Sequence, residues 1–208
     1  MKIIKASFEL LAFTPNMTQL IEQAGRVCYK SEDRICEGSD TKFIEHLKGL
    51  HHESVLEHGS ITVKFICDRG VSHELVRHRI ASFSQESTRY VNYSKGKFGS
   101  EITVIEPSFY IDKEVEYALW KTSCEQAETH YMALINAGSS AQQARTVLPN
   151  SLKTEIVVTA NPREWRHILT MRTANAAHPQ MRELMLPLLA EFKTHWPSLY
   201  SDIGESHE

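Results

Sequence analysis

The sequence is poor in cysteine: Cys28, Cys36, Cys67 and Cys124 are the four in 208 residues. They form no close pair and no CxxC, which leaves no support for a zinc knuckle or a disulfide framework. A reducing cytoplasm is the simplest setting for such thiols. No apolar run is long enough to span a bilayer, so no membrane association is expected. The N-terminal MKIIKASFELLAF has a short apolar stretch but no small-residue cleavage site. Its alternation (Ile3, Ile4, Ala6, Phe8) predicts a first strand over 2–9 rather than a signal peptide. There is no GxGxxG, so a Rossmann dinucleotide site has no support. Internal repeats, low-complexity tracts and Pro/Gly/Ser linkers are also missing. Residues 1–208 are therefore expected to form a single domain, long enough to bury a core without disulfides. Nor is there much charge of one sign. The 23 Lys and Arg against 26 Asp and Glu give a formal net charge of −3, which argues against a bulk nucleic-acid binder.

What is present is a mixed pattern of elements. Asn16 is placed to cap a helix over 16–29, where Leu20, Ile21, Ala24 and Val27 follow helical spacing. A polar turn over 30–39 leads to a short helix from Thr41 to Leu50. Ser60 to Asp68 alternates through Ile61, Val63, Phe65 and Cys67, as a half-buried strand does. Gly70 breaks it, and Val71 to Arg79 has the look of a short helix with Val71, Leu75 and Val76 facing inward. Ala81 to Tyr93 is rich in Ser and aromatics and reads as extended. A strand over Ile102 to Ile105, a long helix over Asp112 to Ala137 and a helix over Ser140 to Leu148 follow. In the long helix the stripe Val115, Leu119, Met132 and Leu134 is expected to be core. Lys153 to Thr159 predicts a strand, Pro162 suits the first turn of a helix to about Arg172, and Pro179 begins a last helix to about Phe192. Strands and helices without strict alternation predict an α+β architecture, a mixed or antiparallel sheet with flanking helices.

The arginines are uneven. Arg69, Arg77, Arg79 and Arg89 fall in one window, and Arg145, Arg163, Arg166, Arg172 and Arg182 come later. A local basic pocket in an acidic chain suits small anionic ligands better than a long polyanion. Arg77, His78 and Arg79 lie at a predicted helix end. A guanidinium is planar, charged and forked, which suits phosphate or the carbonyl edge of a pyrimidine. Adjacent helical residues point about 100° apart, so the three side chains would reach different parts of one ligand or two ligands. If the next segment is a strand, Gln85, Ser87 and Arg89 share a face and form a nucleotide-binding edge. From composition alone, a solvated charged surface is the commoner reading.

Two other readings are weighed. The arginines and aromatics around 77–93 could form a single-stranded nucleic-acid module, betrayed by steep salt dependence. His73, Glu74 and His78 come near a zinc-hydrolase motif. That motif needs His at i and i+4, whereas His78 is at i+5, ~140° around a helix from His73. His51, His52 and His58 match no standard metal spacing, so no metal is expected. Trp120, Trp165 and Trp196 read as packing residues.

The stretch RHRIASFSQESTRY resembles the signature of flavin-dependent thymidylate synthases: Arg-His-Arg, seven residues, Ser, then x-Arg-Tyr. It falls on Arg77, His78, Arg79, Ser87, Arg89 and Tyr90. HHESVLEHGSITVKF, ARTVLP and TANPREWRHILTMR resemble further segments of that family in the same order. The resemblance runs from about Arg26 to the last helix and carries the thymidylate synthase-complementing protein fold with it. The flavin-independent thymidylate synthases use a Cys nucleophile beside a Pro, and this chain has no Pro-Cys pair.

The resemblance implies roles. FAD would be held by Arg77, His78, Arg79 and Ile80, by His52 and Ser54 upstream, and by Asn161, Arg163 and His167 downstream. The nucleotide dUMP would be held by Glu74, Arg77, Gln85, Glu86, Ser87, Arg89, Arg145 and Arg172. Arg172, set against the uracil, would be the catalytic group; Ser87 is expected to bind substrate rather than attack it. His178 is left unassigned. The implied reaction methylates dUMP to dTMP with 5,10-methylenetetrahydrofolate as carbon donor. NADPH reduces FAD, and tetrahydrofolate leaves. A homotetramer is implied, with active sites where subunits meet.

Overall fold

The computed structural model describes residues 1–95 and 100–204. In chain order the elements are β1 (Lys2–Ile4), β2 (Ser7–Phe13), α1 (Met17–Tyr29), α2 (Ser39–Gly49), β3 (Ile61–Asp68), α3 (Arg69–Leu75), β4 (Ala81–Gln85), β5 (Thr103–Ile105), α4 (Glu114–Asn136), α5 (Ala141–Ala144), β6 (Lys153–Ala160), α6 (Pro162–Thr173), α7 (Pro179–His195) and α8 (Pro197–Tyr200). Two sheets carry the strands. One is a four-stranded sheet in the order β2-β3-β6-β4, and the other pairs β1 with β5 in parallel, Ile3 opposite Val104. The architecture is the expected α+β mixture of sheet and flanking helices.

The chain divides into two compact units. The first holds Met1–Ser7, Phe65–Arg77 and Phe83–Val157; the second holds Phe8–Lys64, His78–Ser82 and Val158–Glu208. In the first, the core gathers Ile102, Val104, Tyr131, Ala144 and Leu152. In the second, Ile21, Ile44, Leu47, Leu56, Trp165 and Phe192 are almost wholly buried.

The period-2 segments formed as their patterns dictate. Ile61, Val63, Phe65 and Cys67 of β3 are all buried, and in β6 Thr154, Ile156, Val158 and Ala160 are. Helix α6 begins where Asn161 accepts the backbone N–H of Glu164 at 2.8 Å and Pro162 occupies the first turn, a position that wastes no hydrogen bond. Helix α1 packs on α2 through Gly25, where an added Cβ would stand 2.5 Å from the Phe43 ring.

Several expectations are corrected. The strand expected over 2–9 is two strands in two sheets, since alternation fixes a face but not a partner. Asn16 does precede α1, but at φ 49°, and its side chain makes no cap bond. Helix α3 stops at Leu75 rather than Arg79, and Val76 is left 38 % exposed instead of facing inward. Gly70 sits inside the first turn of α3, where the side chain of Asp68 caps the helix by accepting from Val71 N–H at 2.7 Å. In α4, Val115 and Leu119 are 68 % and 65 % exposed, so only Met132 and Leu134 of the expected stripe pack on the core.

Candidate active site

The second unit brings together most of the residues that the resemblance assigns to a flavin. Trp165 fixes α6: it is fully buried and donates its indole N–H to the carbonyl of Ile61 on β3 at 2.9 Å. The face beside Trp165 then presents Asn161, Arg163, Glu164 and His167 to an open cavity of ≈ 520 Å³, which Ile80 also lines. The Ile80 side chain is 71 % exposed, an apolar surface among charges. Arg163 is not idle: its guanidinium meets Glu57 at 2.6 Å and Glu53 at 3.4 Å. Those two carboxylates ride on a 3-10 turn, Glu53–Glu57, which also carries the exposed Ser54. His52 is exposed, its Nδ1 3.2 Å from the hydroxyl of Tyr29, and Arg79 is exposed as well.

His78 behaves differently from its neighbours Arg77 and Arg79. It is 4 % exposed, and its Nε2 accepts the Nε–H of Arg172 at 3.0 Å. Burial lowers its pKa to about 4, with the charges of Arg172 and His167 adding to the effect. Its Nδ1 faces Glu164 Oε1 at 3.6 Å, and its ring lies edge-on to that of His167, 5.4 Å between centroids. Burial raises the Glu164 carboxyl above its ordinary value, opposed by His167 and Arg163. At neutral pH this is therefore a neutral imidazole beside a carboxyl, not a tight ion pair. His78, Glu164 and His167 are also the one group of potential metal ligands among the described residues, with ligand atoms within 4.8 Å of each other.

The first unit holds most of the residues assigned to the nucleotide. The expected strand from Ala81 to Tyr93 ends at Gln85. A turn follows, in which the Ser87 carbonyl accepts from Tyr90 N and Val91 N and the Ser87 hydroxyl accepts from Arg89 N–H at 3.3 Å. Ser87 and Arg89 thus do not share a strand face with Gln85. The serine makes local bonds that compete with a strand ladder. Arg145, on the 3-10 turn Arg145–Val147 after α5, donates to Thr88 Oγ1 at 3.3 Å. The turn therefore gathers Ser87, Arg89 and Arg145. Gln85 points inward, donating to Ser72 Oγ at 2.8 Å and Thr154 Oγ1 at 3.2 Å. Glu86 accepts from Tyr93 OH at 3.1 Å and from Lys153 Nζ at 3.0 Å. That carboxylate and burial together push the Tyr93 phenol far up, burial first. Arg77 is exposed and Glu74 half-buried.

Sequence reasoning passed over Glu164, Thr88, Tyr93 and Lys153. Only Glu164 had a sequence signal, its place three residues after a cap, and that signal reads as helix capping. His178, left unassigned, is the N-cap of α7, its ring accepting from Gln180 N.

A family model described as "Thymidylate synthase complementing protein" matches residues 9–198. A flavin-dependent thymidylate synthase from Geobacter sulfurreducens is 34 % identical over 202 residues, 94 % of this chain and 85 % of its own length. One from Pyrococcus furiosus is 36 % identical over 173 residues, covering 83 % of this chain and 70 % of its own. Among solved structures, a UMP/dUMP methylase from Streptomyces cacaoi, crystallised with 5-Br dUMP, superposes with a TM-score of 0.81. It covers 97 % of this chain and 96 % of its own at 24 % identity, a likeness of fold.

Proposed function

The chain belongs to the thymidylate synthase complementing protein family, and we propose that it works as a flavin-dependent thymidylate synthase that converts dUMP to dTMP. The carbon donor is 5,10-methylenetetrahydrofolate, the reductant is NADPH, and tetrahydrofolate is released. The observation that carries this reading is the family match over residues 9–198. The geometry is in keeping with it.

The residues present fit a flavin nucleotide. Ile80 offers apolar surface to a flat ring, and Arg79 and Arg163 offer cations to a diphosphate. Ile80, Asn161, Arg163 and His167 line one cavity. Arg77, His78, His52 and Ser54 complete the proposed set. FAD, when bound, supplies the hydride that completes the methyl group, while the protein supplies orientation and electrostatics. For dUMP, Arg89 and Arg145 suit the phosphate, and Ser87 suits a hydroxyl or phosphate oxygen. Glu74, Arg77, Gln85 and Glu86 complete the nucleotide set. Arg172 balances negative charge developing on the uracil. No protein nucleophile is required. The Cys67 thiol, buried, is pushed up to about 12, and Cys124 is raised by burial too.

Residues 1–208 act as one functional domain in this reading, in the cytoplasm. No helix among the described residues is long and apolar enough to cross a membrane. The assembly is a homotetramer with active sites where subunits meet; the bare apolar side chains of Val115 and Leu119 support an intersubunit face.

The test is a visible spectrum of the purified chain without oxygen, before and after NADPH and dUMP, followed by a dTMP assay with the folate. A bound flavin band that bleaches with NADPH, then methylation, is expected. A protein that takes up no FAD would overturn the reading and bring nucleic-acid binding forward. Arg172→Ala should abolish methylation and keep FAD; turnover at the wild-type rate would remove Arg172 from its role.

A further inference from the structure

We propose that Glu164 is a positioning residue for this reaction: its carboxylate holds the proton of His78 on Nδ1, which keeps Nε2 open to accept from Arg172 Nε and so fixes the plane of the guanidinium. The inference rests on the reading of Arg172 as the group that faces the uracil.

The tautomer follows from the contacts. Arg172 is a donor under all conditions and has no lone pair to offer. The 3.0 Å bond from its Nε to His78 Nε2 therefore requires a bare lone pair at Nε2. A neutral imidazole carries one proton, so it must sit on Nδ1. The environment keeps the ring neutral: the side chain is 3 % exposed and lies beside a guanidinium, which together lower the pKa to about 4. Which ring nitrogen bears the proton is set by the partner of the other. Nδ1 faces Glu164 Oε1 at 3.6 Å, a separation that becomes a hydrogen bond with a small side-chain movement. Catalytic contacts are often this long before ligands arrive.

The placement of Glu164 points the same way. It is the third residue of α6, where a glutamate after a capping side chain commonly turns back to the cap's own N–H. Helix α5 makes that reciprocal pair, with Ser140 and Gln143 bonded in both directions. In α6 only half is made: Asn161 accepts from Glu164 N–H, while the Glu164 carboxylate is directed at His78. A group that could satisfy its own helix instead meets the ring that holds Arg172.

A metal ion on His78, Glu164 and His167 is the competing use of these side chains. Bound at Nδ1, it would move the His78 proton to Nε2 and set that N–H against the Arg172 N–H, donor against donor. The hydrogen bond from Arg172 opposes it. A purely structural Glu164 would support the start of α6 through the helix dipole, and its loss would change stability without touching the tautomer of His78.

The experiment uses the flavin-loaded full chain with 15N-labelled histidine, compared as wild type, Glu164→Gln and Glu164→Ala, with Arg172→Ala as control. Two quantities are read: the 15N signature of the His78 tautomer and the single-turnover rate of dTMP formation. The wild type is expected to show a protonated Nδ1 and a bare Nε2. Glu164→Ala should weaken that preference, since only the bond from Arg172 then favours a proton on Nδ1, and slow the reaction ~10- to 100-fold, as when a partner that orients a functional histidine is removed. Glu164→Gln, whose amide oxygen can accept the same N–H, should keep the tautomer and stay within about threefold. Thermal unfolding and flavin content check the fold. If Glu164→Ala does not fold, Glu164→Asp replaces it, with both changes expected in weaker form. An unchanged tautomer in Glu164→Ala or Glu164→Asp overturns the proposal, whatever the rate. So does a changed tautomer with a wild-type rate, provided Arg172→Ala is inactive. If Arg172→Ala methylates normally, it is the parent reading of Arg172 that fails, and the tautomer signal judges the contact itself.

Discussion

Acidifying the protein from pH 7 to 4 tests the burial of His78 directly. The imidazole is taken from an ordinary value of 6.5 down to about 4 in the folded chain. Between those values the unfolded chain binds a proton at this position and the folded chain does not. The contribution of His78 is therefore fully present above pH 6.5, falls as the pH drops through that window, and levels off below about pH 4. One pH unit of such mismatch is worth ~1.4 kcal/mol. At pH 5 the loss is roughly 2 kcal/mol, and at pH 4 roughly 3 kcal/mol. The groups facing the ring are Arg172, His167 and Glu164. Glu164 works the other way, because burial raises its carboxyl, so its proton uptake favours the folded state as the pH falls. The comparison is therefore between wild type and His78→Gln, in which those groups titrate as well. Urea unfolding of both at several pH values should give a steeper decline for the wild type below pH 6.5, while His78→Gln is already less stable at pH 7. Parallel curves would mean that His78 titrates like a surface histidine and that its bond from Arg172 does not hold in solution.

Gly25→Ala should destabilise the protein by ~1–3 kcal/mol through overpacking, because the new methyl would stand 2.5 Å from the Phe43 ring; an unchanged thermal midpoint would refute the close approach of α1 and α2. Asp202 bonds Arg166 through both oxygens, at 2.8 and 2.6 Å, and Lys48 at 2.7 Å, which holds its carboxyl well below the usual range despite burial. Asp202→Asn should cost ~1 kcal/mol near neutrality, discounted for the exposure of the carboxylate. The wild-type advantage should fade as the pH falls below the ordinary carboxylate value; a gap that widens in acid would contradict the pairing.

The parts of this chain that were legible beforehand are those where one local rule decides. β3 and β6 alternate strictly because each buries one face, and α6 starts where Asn161 and Pro162 say it should. The segments around the signature motif were harder. Arg77 to Arg79 continue an apparent helical spacing, yet α3 closes at Leu75. Ser87 to Tyr90 could extend a strand in period and composition, but the local bonds of Ser87 make a turn. Val115 and Leu119 have core chemistry yet no cover within their own chain, since a pattern shows which residues can be buried and not what buries them. Among the proposed site residues, the side chains expected to face ligands divide: Gln85 and Glu86 have protein partners, while Arg77, Arg79, Arg89 and Ile80 are exposed. Glu164 was hidden because its sequence position already had an ordinary explanation, and only the folded chain shows its carboxylate turned elsewhere.

The ion pairs of Arg163 have a consequence for how an anionic ligand arrives. In the proposed reading Arg163 receives a ligand phosphate, and its guanidinium already pairs with Glu53 and Glu57, so binding there would exchange one anion for another. The affinity measured would then be the difference between two anions competing for one guanidinium. Because that pair of carboxylates sits on the same short turn as Ser54, an exchange at Arg163 would be felt next at a neighbouring residue of the proposed flavin set.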